Sequence, residues 1–183
     1  LFPRYANTQV GHGQAMIRPK ASEKLDFEGE LAFVVGKAGR HVAKENAYDY
    51  VAGYACYNDG SIRDWQRPTG QFMPGKNFIG TGAFGPWLVT TDEIPDPEVM
   101  SLVTRLNGEE MQRATIDDLI FGVPDLMAYI TTFTELVPGD VVVTGTTGGV
   151  GAYRTPPVWM KEGDTVEVVI SGIGILRNPI ANE

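Results

Sequence analysis

The sequence predicts a mixed α/β domain that is mostly β, with a few helices laid on a strongly twisted or barrel-like sheet. Three observations predict it. Segments with strand character outnumber helical ones, and 22 glycines and 12 prolines supply frequent turns. Two similar units, Pro138-Gly139-Asp140 before Val141-Val142-Val143 and Glu162-Gly163-Asp164 before Thr165 to Ile170, read as parts of one sheet system.

In chain order, the apolar run from Leu31 to Gly36 is the first strand, and Lys44 to about Tyr54 reads as a helix. Trp87 to Thr90 and Leu102 to Leu106 read as strands. Asn107-Gly108 has the chemistry of a type I′ turn, which needs positive φ at both residues and returns the chain into Glu109 to Arg113. Pro124 to about Thr132 is a second helix, opening with proline where a missing amide donor costs little. Val141 to Thr144 and Thr165 to Ile170 are strands, the latter placing Val166, Val168 and Ile170 on one face.

A chain of 183 residues, 43% hydrophobic, suffices for one compact domain over 1–183 and its core. No apolar run approaches the roughly 18 residues of a membrane helix, and Leu1 to Tyr5 lacks the basic start and apolar stretch of a signal peptide. The expectation is a soluble, cytoplasmic protein with no membrane partner. A net charge of -8 with Lys and Arg never clustered beyond a pair argues against a nucleic-acid partner. The one cysteine, Cys56, excludes an internal disulfide and a Cys-rich zinc site, and its apolar context Gly53-Tyr54-Ala55-Cys56-Tyr57 reads as a small buried thiol.

Chemistry concentrates in three places. In Asp26-Phe27-Glu28-Gly29-Glu30, a strand puts Glu28 and Glu30 on one side about 7 Å apart, within reach of one ion. Asp26 continues that face, so spacing does not decide which two would bind, and an edge strand with a solvated acidic face has the same pattern. Asn58-Asp59-Gly60-Ser61-Ile62-Arg63-Asp64-Trp65-Gln66 adds a third acid, although Asn-Asp-Gly is also ordinary turn chemistry and Arg63 beside acids also reads as a surface ion pair. Two Glu and one Asp suit the hard ions Mg²⁺ or Mn²⁺, with Ca²⁺ a further candidate, whereas His12 and His41 are too few for a multi-histidine zinc site. The third place is glycine-rich. Gly80-Thr81-Gly82-Ala83-Phe84-Gly85 matches a dinucleotide fingerprint but runs into Pro86-Trp87-Leu88-Val89 where a helix is required, so no nucleotide or flavin cofactor is expected. Thr144 to Gly151 follows a strand without the Lys-Ser/Thr of a phosphate loop, and its amides and hydroxyls suit a carboxylate as well as a plain turn.

Taken together, Glu28-Gly29-Glu30-Leu31-Ala32, Asn58 to Gln66, Gly75-Lys76-Asn77-Phe78, Gly85 to Val89, Gly139 to Thr146 and Gly149-Val150-Gly151 resemble, in order and spacing, the fumarylacetoacetate hydrolase family across nearly the whole chain. The resemblance implies a mixed β-roll fold, a homodimer, and a divalent metal held by Glu28, Glu30 and Asp59, selecting Glu28 and Glu30 over Asp26. It places Lys76 beside the metal, turns Arg63 and Gln66 toward a small 2-oxo acid substrate, and gives Thr146 a part in holding the substrate carboxylate. The activity it implies is hydrolysis of a carbon–carbon bond in an acylpyruvate-type diketo acid, such as maleylpyruvate or fumarylpyruvate, with release of pyruvate during breakdown of aromatic compounds. Oxaloacetate decarboxylation or isomerisation of a hydroxymuconate-type acid is the alternative, and a non-catalytic binding protein is a third reading. The family's His and Glu pair would precede Leu1, so a further N-terminal segment carrying the general base is expected. Within this sequence His12 is the only histidine near the first motif and is carried as a catalytic candidate. Leu1-Phe2-Pro3-Arg4-Tyr5 departs from the family's more usual lysine-proline segment, and Thr146-Thr147-Gly148 lacks a proline after its second threonine.

Overall fold

A computed structural model describes residues 1–183. Twelve strands run in the order β1 Gln9–Gly11, β2 Met16–Arg18, β3 Leu25–Asp26, β4 Gly29–Val35, β5 Val51–Asp59, β6 Ser61–Ile62, β7 Gly82–Thr90, β8 Ser101–Leu106, β9 Glu109–Thr115, β10 Val141–Val143, β11 Thr165–Ile170 and β12 Gly174–Asn182. Three α-helices, α1 Arg63–Gln66, α2 Met73–Lys76 and α3 Val123–Phe133, decorate them. One sheet has the order β1-β7-β5-β4-β10 and the other β2-β12-β11-β8-β9, while β3 and β6 form a small ribbon. The mixed, mostly β class expected from the sequence is what forms. A closed barrel does not: the outermost strands β10 and β9 each pair on one side only, and the sheets meet face to face instead, β12 on β7, β11 on β5 and β8 on β4.

The core lies between the sheets. Leu31, Phe33 and Val35 of β4, Tyr54 and Cys56 of β5, Val166, Val168 and Ile170 of β11 and Leu176 of β12 belong to one buried cluster. Cys56 is buried as expected, and burial pushes its thiol up to about 12. Helix α3 opens with Pro124 in its first turn and buries Val123, Met127, Ile130 and Thr131, the one-sided spacing of an amphipathic helix. Asn107 and Gly108, with φ of 54° and 83°, make the expected turn between β8 and β9.

The segment read as a helix from Lys44 to Tyr54 is different. A 3₁₀ turn covers Lys44–Tyr50, and β5 then begins at Val51. Strand β5 pairs with β4 on one side and β7 on the other. A central strand buried on both faces reads as a continuous apolar run, without the alternation that distinguishes strand from helix. This correction moves Asp59 from a loop after a helix to the end of a central strand.

Candidate metal centre

Strands β4 and β5 pair so that Gly29 faces Asn58, and the Asp59 N–H donates to the Glu28 carbonyl at 2.9 Å. Gly29 is needed at this crossing, because an added Cβ would sit 2.0 Å from Thr104 Oγ1 on β8. The register gathers Glu28, Glu30 and Asp59: one carboxylate oxygen from each lies within 4.8 Å of the others, and all three residues are buried. Asp26, which spacing alone did not separate from them, faces another way. It accepts from Phe27 N at 2.9 Å, Gly151 N at 2.7 Å, Ala152 N at 2.9 Å and Arg63 Nε at 2.8 Å.

Three acids so close and dry repel one another unless positive charge is built in. Helix α2 ends on Lys76, whose buried Nζ lies 2.6 Å from both Glu28 Oε2 and Asp59 Oδ2. Helix α1 begins with Arg63, and one turn on is Gln66; Arg63 Nη1 reaches Glu28 Oε1 at 2.6 Å and Gln66 Oε1 at 2.9 Å. Arg63 Nη2 is buried with no partner in the chain. Arg4, from the segment before β1, places Nη1 at 2.5 Å from Asp59 Oδ1. With Asp26 included, four acids face three cations, leaving one negative charge. Glu30 is the acid without a cation in direct contact: it takes the Gly145 N–H on Oε2 at 2.5 Å. Burial, then the charges of Asp59 and Glu28, hold its carboxyl well above the ordinary value of 4.5, although Lys76 and the Gly145 N–H pull it down.

This donor set fits a hard divalent cation. Three carboxylate oxygens, one from each acid, lie within 4.8 Å of one another, and two positive charges would relieve the repulsion that adds to burial in raising Glu30.

Of the other residues singled out from sequence, Thr146 donates its hydroxyl to Gly29 O at 2.9 Å and accepts from Gln112 Nε2 at 2.9 Å, fastening the loop to the start of β4. It lines a cavity of about 450 Å³ together with Gly29, Leu31, Leu102, Phe121 and Gly145. His12 is not gathered into the centre. It is exposed, its Nδ1 accepts the Arg177 N–H at 3.1 Å, and its Cβ lies by Gly85, which pairs with Cys56 rather than with Asp59. Two residues were missed. Arg4 was noted only as a departure from a family pattern, and Gln112, buried on β9, accepts from Gly29 N at 3.0 Å while donating to Thr146 Oγ1 and Thr147 O. Gln112 sits among the polar Glu109, Glu110, Arg113 and Thr115 of β9, and nothing local in the sequence singles it out.

A family model described as fumarylacetoacetate (FAA) hydrolase C-terminal matches residues 1–181. The chain is 39% identical over 181 residues to oxaloacetate tautomerase Fahd2a, mitochondrial, of Rattus norvegicus, covering 98% of this chain and 58% of that protein. Among solved structures, fumarylacetoacetate hydrolase from psychrophilic Exiguobacterium antarcticum superposes with a TM-score of 0.95 at 37% identity, covering 100% of this chain and 66% of that one. Maleylpyruvate hydrolase from Sphingobium sp. SYK-6, in complex with manganese (II) ion and pyruvate, gives a TM-score of 0.87 at 28% identity over 99% of this chain and 64% of that one. The chain thus spans about 58% of the rat protein's length.

Proposed function

The chain belongs to the fumarylacetoacetate hydrolase family, and from that premise we propose that it is a divalent-metal-dependent enzyme interconverting the keto and enol forms of a small 2-oxo dicarboxylate of the oxaloacetate type. The observation that carries the reading is Arg63 Nη2, a buried donor without a partner, on the guanidinium whose Nη1 touches Glu28. A buried, unpaired charged donor costs free energy, and an anionic substrate at the acidic centre would repay it. Four acids and three cations with one divalent ion sum to a single positive charge, which also favours an anion.

Glu28, Glu30 and Asp59 would hold Mg²⁺ or Mn²⁺. Once bound, such a cation acts as a Lewis acid toward the 2-oxo carbonyl. Arg63 Nη2 offers a hydrogen bond to a substrate carboxylate, with Gln66 holding the guanidinium in place. Lys76 adds a fixed charge beside the region where negative charge grows during proton transfer. Burial of all these groups keeps the surrounding dielectric low, so each charge acts strongly. Tautomerisation moves a proton between carbon and oxygen and needs no activated water. The similarity to rat oxaloacetate tautomerase, at 39% identity, supports that choice.

Hydrolysis of an acylpyruvate is the second reading, favoured by likeness to the maleylpyruvate hydrolase that holds manganese and pyruvate. The proposal includes a homodimer, supported by the exposed Ile120 and Phe121 beside the 450 Å³ cavity. No helix is long and apolar enough to cross a membrane, and the rat relative is named as mitochondrial. The test is a substrate panel with Mn²⁺ or Mg²⁺. We expect accelerated loss of oxaloacetate enol absorbance without pyruvate release. Diketone absorbance loss with pyruvate release from acylpyruvates would select hydrolysis instead, pyruvate from oxaloacetate would select decarboxylation, and no acceleration with any of them would refute all three.

A further inference from the structure

Each acid of the centre has one oxygen claimed by a protein donor that is not Lys76. Glu28 Oε1 is held by Arg63 Nη1 at 2.6 Å, Glu30 Oε2 by Gly145 N at 2.5 Å, and Asp59 Oδ1 by Arg4 Nη1 at 2.5 Å. Beyond these three donors, Glu28 Oε2 and Asp59 Oδ2 face only Lys76 Nζ, at 2.6 Å each, and Glu30 Oε1 takes no donor. Such a set offers three single-oxygen contacts and resists two-oxygen chelation. That difference separates ions. Ca²⁺ takes six to eight oxygens at long distances and commonly uses both oxygens of a carboxylate, whereas Mg²⁺ demands a small octahedral shell of single contacts.

We propose that Arg4 is a positioning residue that selects Mg²⁺ and Mn²⁺ over Ca²⁺ by pinning the second oxygen of Asp59; this rests on the metal reading of the centre given above. Of the three clamps, the Gly145 N–H belongs to the backbone, and Arg63 also serves Asp26 and Gln66. Arg4 alone is a side chain devoted to this corner. Its Nη1 bridges Asp59 Oδ1 and Gly60 O, the latter at 3.1 Å, and its Nη2 donates to Thr81 Oγ1 at 2.8 Å. Thr81 is itself tied to Phe78 O at 2.8 Å. The Arg4 side chain is 8% exposed, and its Nε is buried without a partner, so it is placed for its fork rather than for full satisfaction. The Pro3–Tyr5 backbone is fastened separately: Asn77 Oδ1 accepts from Tyr5 N at 2.8 Å and Asn77 Nδ2 donates to Pro3 O at 3.0 Å.

The test is calorimetric titration of Mn²⁺ and of Ca²⁺ into wild type, Arg4→Met, Arg4→Lys and Asn77→Ala. We expect Arg4→Met to lower the ratio of Mn²⁺ to Ca²⁺ affinity about tenfold, the scale of lost second-layer contacts to a ligand, and to alter the Mn²⁺ paramagnetic resonance spectrum. Arg4→Lys should fall between, since an ammonium does not reproduce the fork. Asn77→Ala, which loosens the segment without touching an acid, should keep the wild-type ratio. A folded Arg4→Met with the wild-type ratio would overturn the inference, as would an equal loss in Asn77→Ala. If Arg4→Met does not fold, an unchanged ratio in Arg4→Lys overturns it. Wild type that binds no divalent ion refutes the metal reading itself.

Discussion

Gly145 donates its N–H to Glu30 Oε2 at 2.5 Å from a backbone with φ of +100°. No atom lies within 4 Å of a Cβ added there, so Gly145→Ala would test the backbone alone. Forcing an L-residue into this region costs about 1–3 kcal/mol, and relaxing it would swing the N–H away from Glu30. We expect a lower Tm and weaker Mn²⁺ binding together, measured by thermal melts and calorimetry. A lower Tm with unchanged Mn²⁺ affinity would mean that Glu30 is oriented by something other than this amide.

The pH dependence of the same acid has a definite sign. Glu30 titrates well above 4.5 when folded, chiefly through burial and then through Asp59 and Glu28. Without a cation, the folded protein keeps a proton that the unfolded chain releases, so this contribution to stability is full below about pH 4.5 and is lost as pH rises toward the folded-state value. A cation needs the ionised form, so its stabilisation should grow across that window. Melts in chelator should fall with rising pH more steeply for wild type than for Glu30→Gln, while added Mn²⁺ should flatten or reverse the wild-type slope. Parallel slopes in chelator would contradict this account.

How much of this was legible in the sequence follows from where each signal lies. The alternation of Val166, Val168 and Ile170 announces β11, and Asn107-Gly108 announces its turn, because both are local. Strand β5 was hidden because both its faces are buried, which erases the alternation. Asp26, Glu28 and Glu30 would share parity on one continuous strand, but β3 ends at Asp26 and β4 begins at Gly29, and Asp26 is held apart by donors at Gly151 and Ala152 from a 3₁₀ turn distant in sequence. The resemblance pointed to the Glu28, Glu30 and Asp59 cluster, whereas Arg4 and Gln112 act through long-range contacts with no local pattern to reveal them.

Lys76 is 2% exposed and paired twice, so Lys76→Met should act differently with and without metal. In chelator, Glu28 and Asp59 lose their shared counter-charge, and breaking a buried pair costs about 3–5 kcal/mol. Saturating Mn²⁺ restores positive charge between those acids and should narrow the Tm gap to wild type. Activity should nonetheless fall by about 10²-fold or more in kcat/KM, the scale of deleting one preorganised charge. A Tm gap equally wide in chelator and in Mn²⁺ would show that Lys76 and the ion do not share those carboxylates.

Arg63→Lys isolates the guanidinium fork. Arg63 gives Nε to Asp26 at 2.8 Å and Nη1 to Glu28 at 2.6 Å and Gln66 at 2.9 Å, which leaves Nη2 as the one donor without a partner. A lysine ammonium is a compact point charge and cannot meet Asp26 and Glu28 while still presenting a donor to a substrate carboxylate. Asp26 keeps the amides of Phe27, Gly151 and Ala152, so the fold should survive with a lowered Tm. In steady-state kinetics at saturating Mn²⁺ we expect KM to rise, because on the proposed reading the lost donor would hold the substrate carboxylate already in the ground state, and kcat/KM to drop by about 10²-fold or more. If Arg63 only ties α1 to β3, the Tm loss will appear with kcat/KM close to wild type, and Nη2 will have no part in binding the substrate.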